Sequence, residues 1–296
     1  MRVLIIGCGY VGLSLGVELL RQGHAVAGLR RSAQGAASLQ SAGLQPLTAD
    51  ITRRGDLAKL PLPYDWVVNT ISSGMGGVEE YQEIYFEGTR NLLQWLASAP
   101  PKKFVHTGSA SVYGQTDASQ VSETSLAEPA TSTGRILLAT EKLLLDAMRA
   151  RQFPAILLRV GGIYGPGRGH HFLQYLKGEA RITGRGEHFL NMIHRDDVVG
   201  AIITALQSAR AGEIYNVVDD EPVPQIRFFR WLSETLGRDM PPFVPESAAS
   251  AAKRGATNKK VLNRKLKMEL GYAFRYPTFR QGFTAEIQRL QDTGEL

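Results

Sequence analysis

The sequence predicts an α/β fold, a doubly wound parallel sheet with a smaller C-terminal lobe. Three observations predict it. The first thirty residues read as strand, glycine turn, helix and strand. Short apolar runs then alternate with helix-length stretches as far as residue 160. At Gly161 the composition changes, and Gly, Pro, Arg and His crowd residues 161–171.

The opening stretch carries the most information. Residues 2–6 form a β-branched apolar run that meets Gly7-Cys8-Gly9-Tyr10-Val11-Gly12 without a break. Leu13, Leu15, Val17, Leu19 and Leu20 then space out a helix, Gly23 stops it, and residues 24–29 read as a second strand. This context turns a bare GxGxxG into a dinucleotide fingerprint of the Rossmann type. Gly7 permits the tight turn, Gly9 lets backbone approach a pyrophosphate, and Gly12 lets the helix pack on the strand. Gly7, Gly9, Tyr10, Val11 and Gly12 are therefore the expected cofactor-binding residues of the turn. An NAD site usually has an acid at the end of the second strand, to hold the ribose 2′-hydroxyl. Here that end reads Gly28-Leu29-Arg30-Arg31-Ser32, with no acid before Asp50. Arg30 and Arg31 suit a 2′-phosphate, which favours NADP, with NAD as the alternative.

Charge and composition bound the function. The chain has 296 residues, 43% of them hydrophobic, and a net charge of +6, which suits a small anionic or polar substrate. No dense basic run with interleaved aromatics points to nucleic acid. The single Cys8 excludes an internal disulfide and fits a reducing, cytoplasmic setting. Residues 3–17 imitate a signal peptide, but they hold the spaced glycines and run on into Glu18 and the helix. No membrane span is expected.

Further along, residues 32–43 read as a polar helix and 44–48 as a short strand. Asp50 then either meets the adenine edge or caps the next turn. Residues 64–71 form a buried strand followed by the loop Ser72-Ser73-Gly74-Met75-Gly76-Gly77, at the end of a strand where ligands sit in such sheets. Residues 80–97 read as a long amphipathic helix and 103–107 as a strand. A polar loop follows over 115–129, a helix over 132–151, a sixth strand over 154–160 and a returning strand over 214–218. Residues 172–177 open a less regular region, and the Pro- and Ala-rich residues 222–260 hold a helix near 227–236. The expected division is 1–160 for the dinucleotide lobe, with segments near 191–218 returning to it, and 161–296 for a mainly substrate-binding lobe.

Several motifs in order resemble the extended short-chain dehydrogenase/reductases, the NAD-dependent epimerase/dehydratase-like family. They are GCGYVG at 7–12, FEGTRNLL at 86–93, KFVHTGSASVYG at 103–114, LLRVGGIYGPGR at 157–168, MIHRDDVVGAI at 192–202, EIYNVVDDEPV at 213–223 and LKMELGY at 266–272. The resemblance implies a Tyr, and a Lys four residues later, on the helix after the SASVYG loop. Those positions hold Thr133 and Leu137, whereas Gly134 and Glu141 keep the pattern. Thr cannot replace a tyrosine's proton transfer near neutral pH, and Leu carries no charge. The chain is thus expected to be an atypical member.

The resemblance leaves Ser109, Thr133 and Tyr85 as catalytic candidates. Ser109 stands where the family has its active-site Ser or Thr. Tyr85 replaces the usual Asn beside the FEGT motif, and either takes over the lost role or packs between helices with its hydroxyl bonded. Tyr113 and Tyr164 belong to structural motifs. The arginine expected before the 189–194 strand is missing, so Ser111, Arg168, His171 and Arg185 are the substrate-binding candidates. His170-His171 do not by themselves make a metal site, and no metal is expected. Asp196-Asp197 read as a helix start. The function expected is an NAD(P)-binding oxidoreductase or sugar-nucleotide epimerase/dehydratase-like enzyme. The alternative is a catalytically inactive NADP(H)-dependent sensor or scaffold. Helices 80–97 and 132–150 would pair in a homodimer, as the family's do.

Overall fold

A computed structural model describes residues 1–74, 76–245 and 257–296. Met75 of the Ser72–Gly77 loop and 246–256 of the Pro- and Ala-rich stretch lie outside the described residues. The chain divides into two compact units. The first holds Met1–Ser109, Ser132–Arg159 and Val199–Tyr215, and the second Ala110–Thr131, Val160–Val198 and Asn216–Leu296.

The first unit is built on a parallel seven-stranded sheet. Its strands are β1 (Arg2–Ile6), β2 (Ala25–Arg30), β3 (Gln45–Thr48), β4 (Trp66–Asn69), β5 (Lys103–Ser109), β6 (Ala155–Val160) and β7 (Ile214–Val217), in the spatial order β7-β6-β5-β4-β1-β2-β3. Val3 pairs with Val26 on one side and Trp66 on the other, so β1 is central. The strand order reverses between β1 and β4, which is where ligands bind in open sheets of this kind. Central strands covered on both faces need continuous apolar runs. Val3, Leu4, Ile5 and Ile6 are fully buried, as are Val67, Val68, Phe104 and Val105.

Helix α1 (Tyr10–Arg21) lies between β1 and β2, and α2 (Ala33–Ser41) follows β2 with Ser32 as its N-cap, accepting from Gly35 N. The stretch read as one helix over 80–97 is four pieces: Val78–Tyr81, a π-helical turn at Gln82–Glu87, Gly88–Trp95, and a 3-10 turn at Leu96–Ser98. A π turn is a local i→i+5 insertion within a helix, and six residues are too few for the shift in phase to stand out from the α-helical pattern on either side. Helix α3 (Ser132–Arg151) has the predicted extent. Its Glu141 meets Arg159 of β6 in a buried two-pronged pair, with Arg159 Nε and Nη2 donating at 3.1 and 2.8 Å. Burial pushes the Glu141 carboxyl up, against the pull of Arg159.

In the second unit an aromatic core joins Tyr164, Phe172, Phe228, Phe229, Phe279 and Phe283. Two local readings are corrected there. Residues 172–176 of the stretch expected to be less regular belong to a helix, His170–Leu176, with Lys177 as its C-cap. Inside the polar loop 115–129 lies a strand, Ser119–Val121, paired in parallel with Lys259–Val261. That pairing also explains why Ala110–Thr131 leaves the 1–160 segment for the second unit. Helix α4 (Arg195–Ser208) begins with Asp196 and Asp197 in its first turn. Asp197 is fully buried and accepts from Tyr272 Oη at 2.9 Å, Arg275 N at 2.7 Å and Tyr276 N at 2.9 Å. It thereby anchors the segment after LKMELGY as well as starting the helix.

His106 on β5 is buried with neither ring nitrogen hydrogen-bonded among the described residues, and desolvation pushes it down to about 4. An unfolded His takes up its proton near pH 6.5, whereas His106 in the folded chain resists protonation until about pH 4. Stability from this group is therefore full above pH 6.5 and falls as pH drops towards 4. At 1.36 kcal/mol per pH unit the loss is about 3 kcal/mol. Urea titrations between pH 7 and pH 4 should show a shallower acid loss for His106→Leu than for the unsubstituted chain, after each is referenced to its own value at pH 7.

Candidate functional site

The glycine turn is tightly determined by packing. Gly7 has φ +74°, and a Cβ there would lie 2.7 Å from the backbone of Ile71. A Cβ at Gly12 would lie 2.8 Å from Thr70 Oγ1 and 3.0 Å from Ile5 Cγ2. Thr70 Oγ1 donates to Gly7 O at 3.0 Å, so the end of β4 clamps the turn. Gly9 differs: a Cβ there would meet only Gly7 O, at 3.7 Å. Gly9 is also the N-cap of α1 and has no side chain of its own to cap the first helical N–H groups. Tyr10 and Val11 follow in the first turn.

A cleft of ≈ 240 Å³ opens beside this turn. Its walls come from the carboxyl ends of four strands: Ile6, Gly7 and Gly9 after β1, Leu29, Arg30 and Arg31 at β2, Ala49, Asp50, Ile51 and Thr52 after β3, and Ile71, Ser72 and Gly74 after β4. Asp50 belongs to this wall. It lines the cleft, and its Oδ1 accepts from Thr52 N at 2.9 Å and Thr52 Oγ1 at 2.8 Å. Asn91 of the FEGTRNLL motif fixes the same wall, with Nδ2 donating to Ile51 O at 3.0 Å and Thr52 O at 3.1 Å. Glu80 and Ile84 also line the cleft. They escaped the sequence reading because they present as ordinary positions of an amphipathic helix.

The basic end of β2 lies in this cleft. The Arg30 stem packs over Gly35 of α2, where a Cβ would come within 2.9 Å of Arg30 Cδ. Arg30 Nε is buried without a hydrogen-bond partner among the described residues. Arg31 is exposed at the rim. Cys8 is fully buried, and desolvation pushes its thiol up to about 12 despite the nearby Arg30 charge. It is an inert packing residue against Gly28, where a Cβ would lie 3.0 Å from Cys8 Sγ.

The catalytic candidates sit on separate elements. Ser109 ends β5, Thr133 lies in the first turn of α3, and Leu137 is buried one turn on. Tyr85 lies in the π turn. Its hydroxyl accepts from Ser73 N at 3.1 Å, its ring is 4.9 Å from that of Tyr81, and burial pushes its phenol up. That geometry matches the packed and bonded alternative. In the second unit, Ser111 lies in a short turn at Ala110–Val112, and Arg168 is exposed in a turn closed by Gly165. The His171 ring meets Phe228 at 6.4 Å and Phe229 at 5.9 Å, so packing occupies much of it. Arg185 is 86% exposed and pairs with Glu187 at 3.5 Å. Tyr113 is fully buried and donates to Asn216 Oδ1 at 2.9 Å, while Tyr164 stacks on Phe283 at 4.1 Å.

Residues 3–218 match the NAD dependent epimerase/dehydratase family. The chain belongs to that family. Among curated relatives it is 26% identical over 280 residues to Protein YeeZ of Escherichia coli K12, covering 93% of this chain and 96% of that protein. It is 26% identical over 268 residues to the dTDP-6-deoxy-L-talose 4-dehydrogenase (NAD(P)(+)) of Kitasatospora kifunensis, covering 85% of this chain and 75% of that protein. The dTDP-glucose 4,6-dehydratase DesIV of Streptomyces venezuelae, solved with NAD bound, superposes with a TM-score of 0.85 at 22% identity, covering 99% of this chain and 97% of that one. At that identity the likeness is one of fold. No helix among the described residues is long and apolar enough to cross a membrane.

The two glycines of the turn should respond differently to a methyl group. Gly7→Ala forces an L side chain into a left-handed backbone against Ile71 and should cost about 2 kcal/mol or more. Gly9→Ala meets open space and should cost less. Thermal unfolding of the two variants checks the order.

Proposed function

We propose that this chain is an NADP(H)-binding oxidoreductase or sugar-nucleotide epimerase/dehydratase-type enzyme acting on a small, polar, anionic substrate in the cytoplasm. The observation that carries the cofactor reading is the end of β2. There Arg30 and Arg31 line the glycine-turn cleft, and Arg30 Nε is buried with no hydrogen-bond partner among the described residues. A buried guanidinium N–H without an acceptor is costly, and a 2′-phosphate would supply the acceptor. The residues present fit the dinucleotide. The open space over Gly9 and the uncapped N-terminus of α1 suit a pyrophosphate, and Asp50 would meet the adenine edge. The named NAD(P)(+) dependence of the Kitasatospora dehydrogenase is consistent with NADP use in this family.

A bound nicotinamide would supply hydride transfer. The protein's share is to orient the substrate and polarise its reacting oxygen. Ser109 is assigned the polarising role, with Thr133 as a second hydroxyl and Tyr85 as a reserve. Ser111, Arg168, His171 and Arg185 are assigned to the substrate. Thr133 and Leu137 stand where the resemblance places Tyr and Lys, and this favours a second reading, an NADP(H)-dependent sensor or scaffold without turnover. An open groove of ≈ 620 Å³ runs along Val78–Glu87 and Ser132–Ala139, and a second copy would seat there in a homodimer.

Calorimetric titration with NADPH and NADH tests the cofactor. NADPH should bind at least tenfold more tightly, and replacing Arg30 and Arg31 with Ala should erase the difference, about 1.4 kcal/mol or more. Tighter NADH binding would reject NADP. Binding of neither would reject the dinucleotide reading. With a turned-over substrate in hand, Ser109→Ala should lower kcat by tenfold or more; unchanged turnover would remove Ser109 from the chemistry.

A further inference from the structure

The second unit contains a buried ammonium that nothing above uses. Lys259 lies in the strand Lys259–Val261, in parallel register with Ser119–Val121: Lys259 opposite Ser119, Lys260 opposite Gln120, Val261 opposite Val121. Side chains alternate along a strand, so Lys259 and Val261 share one face and Lys260 takes the other. Val261 is 1% exposed and Lys259 6%, whereas Lys260 is only partly buried and places its Nζ over the Phe189 ring at 4.6 Å. Lys259 therefore occupies a position on the core-facing side of the strand. A lysine normally extends its head to water while its stem stays buried. This one is buried almost to the tip.

Among the described residues no group compensates the charge. Nζ donates to Thr257 Oγ1 at 3.0 Å, and among the described residues it has no other hydrogen-bond partner and no carboxylate. An ammonium has three N–H donors, so two are unmatched among the described residues. On the paired strand, Ser119 N donates to Asp117 Oδ1 at 3.1 Å. Burial alone pushes the Lys259 ammonium down to about 8, with no acidic group pulling it back.

The backbone around Lys259 is held firmly. Asn191 Nδ2 donates to Lys259 O at 2.9 Å, and Asn191 Oδ1 accepts from Val261 N at 2.7 Å. Asn258 N donates to Gln115 O at 2.9 Å, Ala118 N donates to Asn258 O at 2.9 Å, and Phe189 N donates to Asn258 Oδ1 at 3.0 Å. A strand so fixed presents its side chain in one place. A well-packed apolar residue would serve stability there as well or better than an unpaired charge. An unpaired buried charge on rigid backbone is the kind of local conflict that marks a functional position.

We infer that Lys259 is the anchor of an anion site in the second unit, holding a phosphoryl or carboxylate oxygen of a ligand with the help of Thr257 Oγ1. A compact ammonium with two donors unmatched among the described residues suits either group. The inference uses residues of the second unit only and goes beyond the dinucleotide reading.

The test is thermal-shift and calorimetric titration of the full chain with inorganic pyrophosphate and, separately, malonate, against sodium chloride of equal ionic strength. At least one anion should stabilise the protein saturably, and the arm that does so tells phosphoryl from carboxylate. Because pyrophosphate also suits the glycine turn, the decisive comparison is between variants. Lys259→Met should weaken the anion at least tenfold, and Lys260→Met should leave it unchanged. Equal binding by Lys259→Met, or no saturable binding of either anion by the unsubstituted chain, would overturn the inference. If Lys259→Met does not fold, the 13Cε resonance of Lys259 in unsubstituted protein, assigned with Lys259→Arg, should move on titration; a resonance that stays still would overturn it. NADPH affinity, measured on the same samples, reports separately on the cofactor reading.

Discussion

The cleft of the first unit depends on how closely the turn after β1 approaches the end of β4. Ile71 leaves no room for a Cβ at Gly7, and Thr70 leaves none at Gly12. Thr70 Oγ1 ties the turn to its neighbour through Gly7 O. With the turn fixed, α1 is aimed with its uncapped N-terminus at the cleft, and the strand order reverses at that point. The other walls follow from the same arrangement. The loops after β2, β3 and β4 all leave the sheet at its carboxyl edge, and Asn91 ties down the loop after β3.

Much of this architecture was legible in the sequence because central parallel strands must be apolar throughout and glycine turns must carry glycine. The six early strands and the returning strand at Ile214–Val217 announce themselves in this way. The cleft-lining residues Gly7, Gly9, Arg30, Arg31 and Asp50 were legible too, since each adjoins a strand end. Glu80 was not, because its role depends on how one face of a helix lies over a loop. The π turn at Gln82–Glu87 and the pairing of Ser119–Val121 with Lys259–Val261 were hidden for related reasons. A three-residue strand has too few positions to show a period, and its partner is distant in sequence.

Chemistry is distributed unevenly over α3. The turns that carry Thr133 and Leu137 have no charge facing inward there, while Glu141, one turn further, meets Arg159 in a buried pair. That pair costs desolvation on both sides and survives because the partners satisfy each other. Removing Arg159 would take away the guanidinium that Glu141 accepts from, so the pair acts as a fixed strut between helix and sheet. The helix thus keeps its place on the sheet independently of what its first turns do.

The two units share the chain in alternating pieces. The second takes Ala110–Thr131 before the first is complete, and the first takes Val199–Tyr215 after the second has begun. Neither corresponds to one uninterrupted stretch of gene. A single cut in the coding sequence cannot separate them, and recombination cannot exchange one while sparing the other. New ligand specificity in such a protein must arise by substitutions within the interleaved segments, not by trading a whole domain.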